Sequence, residues 1–126
     1  MPSANDPAAT YKAIIDQLVD ETRLRSVLAE RAHENRPFPL ASGWSNFNEL
    51  LSSLTEHQRN LMSEVLRAER VSAIHDVLAL FSWWIESQGV GLSLDGEPMP
   101  VDFSGEGLHG DFIGRCGDWA WPDDTA

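Results

Sequence analysis

Residues 55–88, TEHQRNLMSEVLRAERVSAIHDVLALFSWWIESQ, contain neither proline nor glycine, and their reading decides the fold class. Thr55 and Gln58 have the spacing of a capping box: the threonine oxygen accepts from an amide of the first turn, and Gln58 reaches back to the Thr55 amide. At about 100° per residue, Leu61, Met62, Val65 and Ala68 centre one apolar stripe. Ile74, Leu78, Phe81 and Ile85 centre a second, roughly 170° away if the helix is continuous. A straight helix would therefore change its buried face halfway. The simpler solution is a break near Ala68–Val71, giving two helices that turn against each other; the alternative is one long helix with different neighbours along its length. Leu80 and Trp83 project away from the second stripe, on the side of Asp76. A tryptophan aimed at water wastes a large apolar ring, so a cover is expected, either the C-terminal segment or another copy of the chain.

Upstream, residues 1–8 are small, polar and proline-punctuated, and a disordered N-terminal tail is expected there. Tyr11, Ile14, Ile15, Leu18 and Val19 then share a helical stripe. Leu24, Val27 and Leu28 keep the period on nearly the opposite face, which predicts a kink around Asp20–Arg23 or a change of neighbour. The segment Glu34-Asn-Arg-Pro-Phe-Pro39 ends that helix, since proline and the residue before it both disfavour continuation. A short helix over Trp44–Leu54 follows, with Ser45 as an alternative N-cap.

Downstream the period falls from 3.6 to 2. Val90, Leu92 and Leu94 alternate with small or polar residues, and Met99, Val101 and Phe103 do so after Asp95-Gly-Glu-Pro98. This predicts a β-hairpin with a four-residue loop, its second strand weakened by Pro98 and Pro100. A lone hairpin is marginal in water and must lie on the helices, with Trp83 as a candidate receiver. Asp111–Cys116 reads as one helical turn capped by Asp111 and ended by Gly117. Trp119 and Trp121 share a face if their segment is extended. The expected architecture is mainly α: a single-domain bundle of four to five helices over residues 9–126, closed from about residue 89 by a C-terminal β-hairpin and an irregular aromatic cap.

Composition narrows the function. A chain of 126 residues, 42% hydrophobic and 23% charged, is one domain's worth and too apolar for wholesale disorder. It holds no apolar run of the roughly 18–20 residues that span a membrane, and its start shows no secretory pattern. The single Cys116 suits a reducing compartment. These features predict a cytoplasmic protein without a membrane partner. The net charge of −11 argues against nucleic acid. Residues 71–126 hold ten acids and one base, Arg115, so the excess lies almost wholly in the C-terminal part.

Two kinds of site compete. His75, Asp76, His109 and Asp111 are ligand types for zinc, iron or manganese, and two such pairs would close round one ion in a metal-dependent hydrolase or small-ligand enzyme. Their spacing matches no metal motif, and neighbours on a helix diverge by about 100°. Cys116 with Arg115 and His109 has the residue types of a thiolate nucleophile, but its place at the end of a turn opposes a lowered pKa. No phosphate or dinucleotide loop occurs, so no cofactor is expected. The stronger reading is recognition. Trp83, Trp119 and Trp121 lie among carboxylates that include Asp76 and Asp111, a combination suited to a basic protein partner. The leading expectation is a non-catalytic interaction module of inhibitor, immunity or adaptor type, which also allows self-association; a structural subunit of a homo-oligomer is a further alternative.

Overall fold

The computed structural model of the protein describes residues 6–122. Among these residues the chain is mainly helical: α1 (Pro7–Leu24), α2 (Val27–Glu34), α3 (Ser45–Ser53), α4 (Glu56–Gln88), a hairpin of β1 (Ser93–Leu94) and β2 (Glu97–Pro98), and α5 (Gly107–Cys116). Residues 1–5 of the expected tail lie outside the described residues. Residues 7 and 8 are helical instead, because Asp6 Oδ1 accepts from the amides of Ala8 and Ala9 at 3.0 and 3.2 Å and Pro7 suits the first helical position. The chain forms two compact units, residues 1–21 with 73–126 (unit 1) and residues 22–72 (unit 2).

The kink expected around Asp20–Arg23 is absent, since those residues continue α1 to Leu24, and the chain breaks just beyond them. Ser26 adopts an extended conformation and its hydroxyl accepts from the Ala29 amide, starting α2 afresh. Asn35 ends α2 in the left-handed conformation that asparagine tolerates, two residues before Pro37. The capping box at α4 is complete: Thr55 N–H donates to Gln58 Oε1 at 2.9 Å, and Gln58 N–H to Thr55 Oγ1 at 3.2 Å.

The break expected near Ala68–Val71 is absent, and α4 runs unbroken for 33 residues. Its first-half buried face is not the one carrying most apolar residues. Leu61 and Val65 are exposed, whereas Ser63 is buried and donates to Ala29 O at 2.9 Å. The face through Ser63 and Leu66 lies only roughly 90° from the face of Leu78, Ser82 and Ile85. A long helix accommodates that drift without breaking. The passage of α4 from unit 2 to unit 1 falls between Ser72 and Ala73.

Unit 1 is built on large rings. Tyr11, Ile15, Leu108 and Trp121 form its central cluster, with Leu78, Ile85, Met99, Val101, Phe103 and Trp119 packed against it. The Tyr11 and Phe103 rings stack at 5.8 Å, and Trp121 meets both edge-on. Burying each such ring contributes about 1.5–3 kcal/mol. Of the expected hairpin's apolar residues, Met99, Val101 and Phe103 thus dock on this cluster, while Val90 and Leu92 stay half-exposed. The hairpin turn is also tighter than expected, with two residues, Asp95 (φ 50°) and Gly96 (φ 84°), in the positive-φ pair that a two-residue hairpin loop requires.

Candidate interaction surface

The geometry of α5 separates the polar residues of unit 1 that would make up a catalytic constellation. His109 and Asp111 are two positions apart, so on one helix they diverge by roughly 160°. Asp111 points inward with no exposure and is an interior helix residue, not a cap. Its Oδ2 accepts from Tyr11 Oη at 2.6 Å and from Phe103 N–H at 3.0 Å, and its Oδ1 accepts from Ser104 N–H at 2.7 Å. Burial first, then the hydrogen bond to Asp111 and the negative charge of that carboxylate, push the Tyr11 phenol well above its ordinary range.

His109 turns the other way. Its Nδ1 lies 3.2 Å from the Ser82 hydroxyl, which also accepts from the Leu108 amide at 2.9 Å, and its ring meets His75 edge-on at 5.2 Å. His75 Nδ1 pairs with Asp76 Oδ1 at 3.1 Å on the surface. The structure thus gathers His75, Asp76, His109 and the buried Ser82, while Asp111 serves the core. No group of three or more His, Cys, Asp or Glu side chains among the described residues is placed to hold a metal ion. The thiolate arrangement does not form either. His109 and Cys116 are two helical turns apart, roughly 10 Å along the axis, and Arg115 is committed to Asp16 at 2.7 Å and to Trp119 O.

Asp102 and Ser82 start α5 between them. Asp102 Oδ1 accepts from the amides of Gly105 and Gly107 at 2.8 and 2.9 Å, and Ser82 takes the next amide. Gly107 has φ 89°, and a Cβ there would stand 2.8 Å from Ser82 Oγ, so glycine is required on both counts.

The tryptophans divide. Trp121 is 2% exposed, its indole N–H donating to Asp16 Oδ2, and Trp119 packs partly buried against the core. Neither Trp121 nor Asp111 is presented to a partner, a correction that follows from the demand of a small core for bulky anchors and satisfied polar groups. Trp83 is 51% exposed and meets Trp84 edge-on at 5.2 Å; nothing among the described residues encloses it. Asp76 lies exposed on the same side of α4.

Around them is a larger surface. Val77, Leu80, Phe81 and Trp84 stand at i, i+3, i+4 and i+7, each between 45 and 59% exposed. Phe81 is also one wall of an apolar groove of about 260 Å³ within unit 1. The groove lining also includes Ile14 and Leu18 of α1, the half-exposed Val90 and Leu92, and the more buried Tyr11, Ile15, Leu78, Ile85 and Leu108. Glu21 borders an adjoining depression on α1, and Asp95 and Glu97 follow Leu92 into the hairpin.

By sequence, unit 1 carries fourteen acids against two cations, a net charge of −12, and unit 2 six acids against seven arginines, a net of +1. Both cations of unit 1 are engaged at its core: Lys12 Nζ sits over the Phe103 and Trp121 rings, and Arg115 pairs with Asp16. The stripe at 77, 80, 81 and 84 has a helical period that could have been read directly. It was obscured because Phe81 fits the neighbouring core stripe equally well. Ser82 carried one signal, a small polar residue on the core face of an apolar helix. The partnership of Tyr11 with Asp111, a hundred residues apart, carried none.

No helix among the described residues is long and apolar enough to cross a membrane. No curated protein and no solved structure matches the chain. A family model does match, over residues 4–123, and the chain accordingly belongs to DUF6547, a family of unknown function.

Proposed function

We propose that this protein is a non-catalytic interaction module of the cytoplasm whose acidic unit 1 binds a basic protein. One observation carries the reading. The solvent face of α4 between residues 76 and 84 presents five large apolar side chains, Val77, Leu80, Phe81, Trp83 and Trp84, with one charged residue, Asp76, in a unit of net charge −12. Half-exposed aromatic side chains grouped in this way are what interface centres are made of, and carboxylates around them steer a cationic partner and raise its association rate. The lone cysteine and the absence of a membrane-spanning helix among the described residues support the cytoplasmic placement.

The test is to cross-link the protein in its native cell, identify the partner, purify both and measure binding across salt. The expected partner carries a basic surface, and affinity falls about tenfold or more between roughly 50 and 500 mM salt as charges are screened. An acidic partner, or affinity indifferent to salt, overturns the proposal.

A further inference from the structure

Resting on that reading, we infer that the groove between α1 and α4 receives one amphipathic basic helix of the partner, lying along α4 with its apolar anchors against Leu80 and Phe81 and in the groove. The shape argument comes first. The groove is walled by two helices, and the exposed stripe beside it has a helical repeat, so a third helix packs by ridges into grooves. A strand has little to add to: β1 and β2 are two residues each, and Pro98 and Pro100 remove ladder donors along the second arm.

Charge then selects the occupant. The groove wall is wholly apolar, so it offers nothing to hold an anionic headgroup. Glu21, which shares a depression with the groove residues Ile14 and Leu18, and the acids Asp95 and Glu97, which follow Leu92 in sequence, favour lysine or arginine on the flanks of the incoming helix. A second copy would fit the apolar stripe by shape, but pairing unit 1 with unit 1 brings together two units that each carry a formal net charge of −12 by sequence. A cationic helix removes the same apolar area from water and relieves that repulsion.

The full-length protein is titrated with two synthetic helical peptides of roughly 18 residues, identical in their leucine positions, one filled with lysine and the other with glutamate. Amide chemical shifts locate the contact and tryptophan fluorescence follows it. The lysine peptide is expected to bind, shifting amides around Leu18, Leu80 and Phe81, and the glutamate peptide to bind at least about tenfold more weakly. Leu80→Glu, at an exposed position, should weaken the lysine peptide about tenfold or more. Val65→Glu, equally exposed but in unit 2, should not.

Equal binding of the two peptides, or shifts confined to another surface, overturns the inference. So does light scattering that shows a dimer which Leu80→Glu dissociates, because the occupant is then a second copy. A native basic partner whose affinity ignores Leu80→Glu sinks the groove and leaves the proposed function standing. Failure to find any basic partner sinks the proposed function itself.

Discussion

The two units solve the same problem with opposite chemistry. In unit 1, carboxylates collect N–H and O–H donors. Asp6 takes the first amides of α1, Asp102 the first amide of α5, Asp111 two loop amides and a phenol, and Asp16 an indole and a guanidinium. In unit 2, guanidiniums collect carbonyls. Arg31 donates to Pro37 O and sits 4.1 Å above the Phe38 ring, Arg59 donates to Leu54 O at the end of α3, and Arg67 donates to Arg23 O near the end of α1. Anions at helix N-termini and cations at helix C-termini both complement the macrodipole. The cores differ as well. Unit 1 buries tyrosine, phenylalanine and tryptophan, while unit 2 buries Leu51 and the small residues Ala29, Ala32, Ser26, Ser63 and Thr22. Charge segregation along this chain is thus partly structural, and only the part of it left at the surface of unit 1 is available to a partner.

The hardest blow to that comparison is Asp111→Ala. It leaves the Phe103 and Ser104 amides without their acceptor and the Tyr11 hydroxyl with only Val101 O at 3.2 Å, and a loss of about 2–6 kcal/mol is expected at about 1–3 kcal/mol for each amide left unsatisfied. Hydrogen exchange should show protection falling in α5 and in residues 99–104 while α2 and α3 keep theirs. Equal loss across α2 and α3 would show that the units open together. The mirror experiment is Ala29→Leu, which forces three extra carbons into the contact where Ser63 reaches Ala29 O. Overpacking there should cost about 1–3 kcal/mol and fall on unit 2, measured as a lower urea midpoint.

The same contrast explains what could be read in advance. Helix positions followed from local chemistry: the capping box at Thr55, proline after Asn35, and the apolar period of α1. Those signals act within a few residues. Burial did not follow so readily in unit 2, because its packing is by small residues. Ser63 and Ala29 let helices approach closely, and an apolar count assigns the buried face to Leu61 and Val65 instead. In unit 1 the aromatic surplus was legible, but its division was not. Trp121 and Trp83 look alike in sequence, and only Tyr11, more than a hundred positions from Trp121, determines which of them is enclosed. In sequence Asp111 reads as a cap, a common use of aspartate near a turn; its donors come from Tyr11 and the loop at 103–104.

Tyr11→Phe sharpens the account of unit 1 in two ways. It removes a hydrogen bond to a buried carboxylate that keeps its two backbone donors, so about 1.5–3 kcal/mol should be lost. It also removes a proton linkage. The folded phenol is held well above the ordinary value of about 10, so below that pH both states are protonated and the contribution is intact. As pH rises past about 10 the unfolded tyrosine ionises first, and stability falls by up to about 1.4 kcal/mol per pH unit. The chain has one tyrosine, so tyrosinate absorbance reports this group alone. In the phenylalanine variant that part of the alkaline slope should vanish. Tyrosinate appearing in the folded protein near pH 10 would contradict the enclosed hydroxyl.

The smallest expected effect concerns the helix that both units share. Thr55→Ala removes the acceptor for the Gln58 amide, but Gln58 Oε1 still accepts from the backbone of residue 55, so half of the capping box survives. The cost should be about 1 kcal/mol or slightly less, and Thr55→Gly, which keeps the cap open to water, should cost only about a few tenths. Because the box sits in unit 2, the first turn of α4 should exchange faster while amides from 74 to 85 keep their protection. Adding Gln58→Ala should deepen the loss by more than the exposed Gln58 would account for alone, since only then are both first-turn donors left to water. If instead protection around Ile74–Ile85 falls with the cap, then α4 transmits opening from one unit to the other, and the two chemistries are coupled through a single continuous helix.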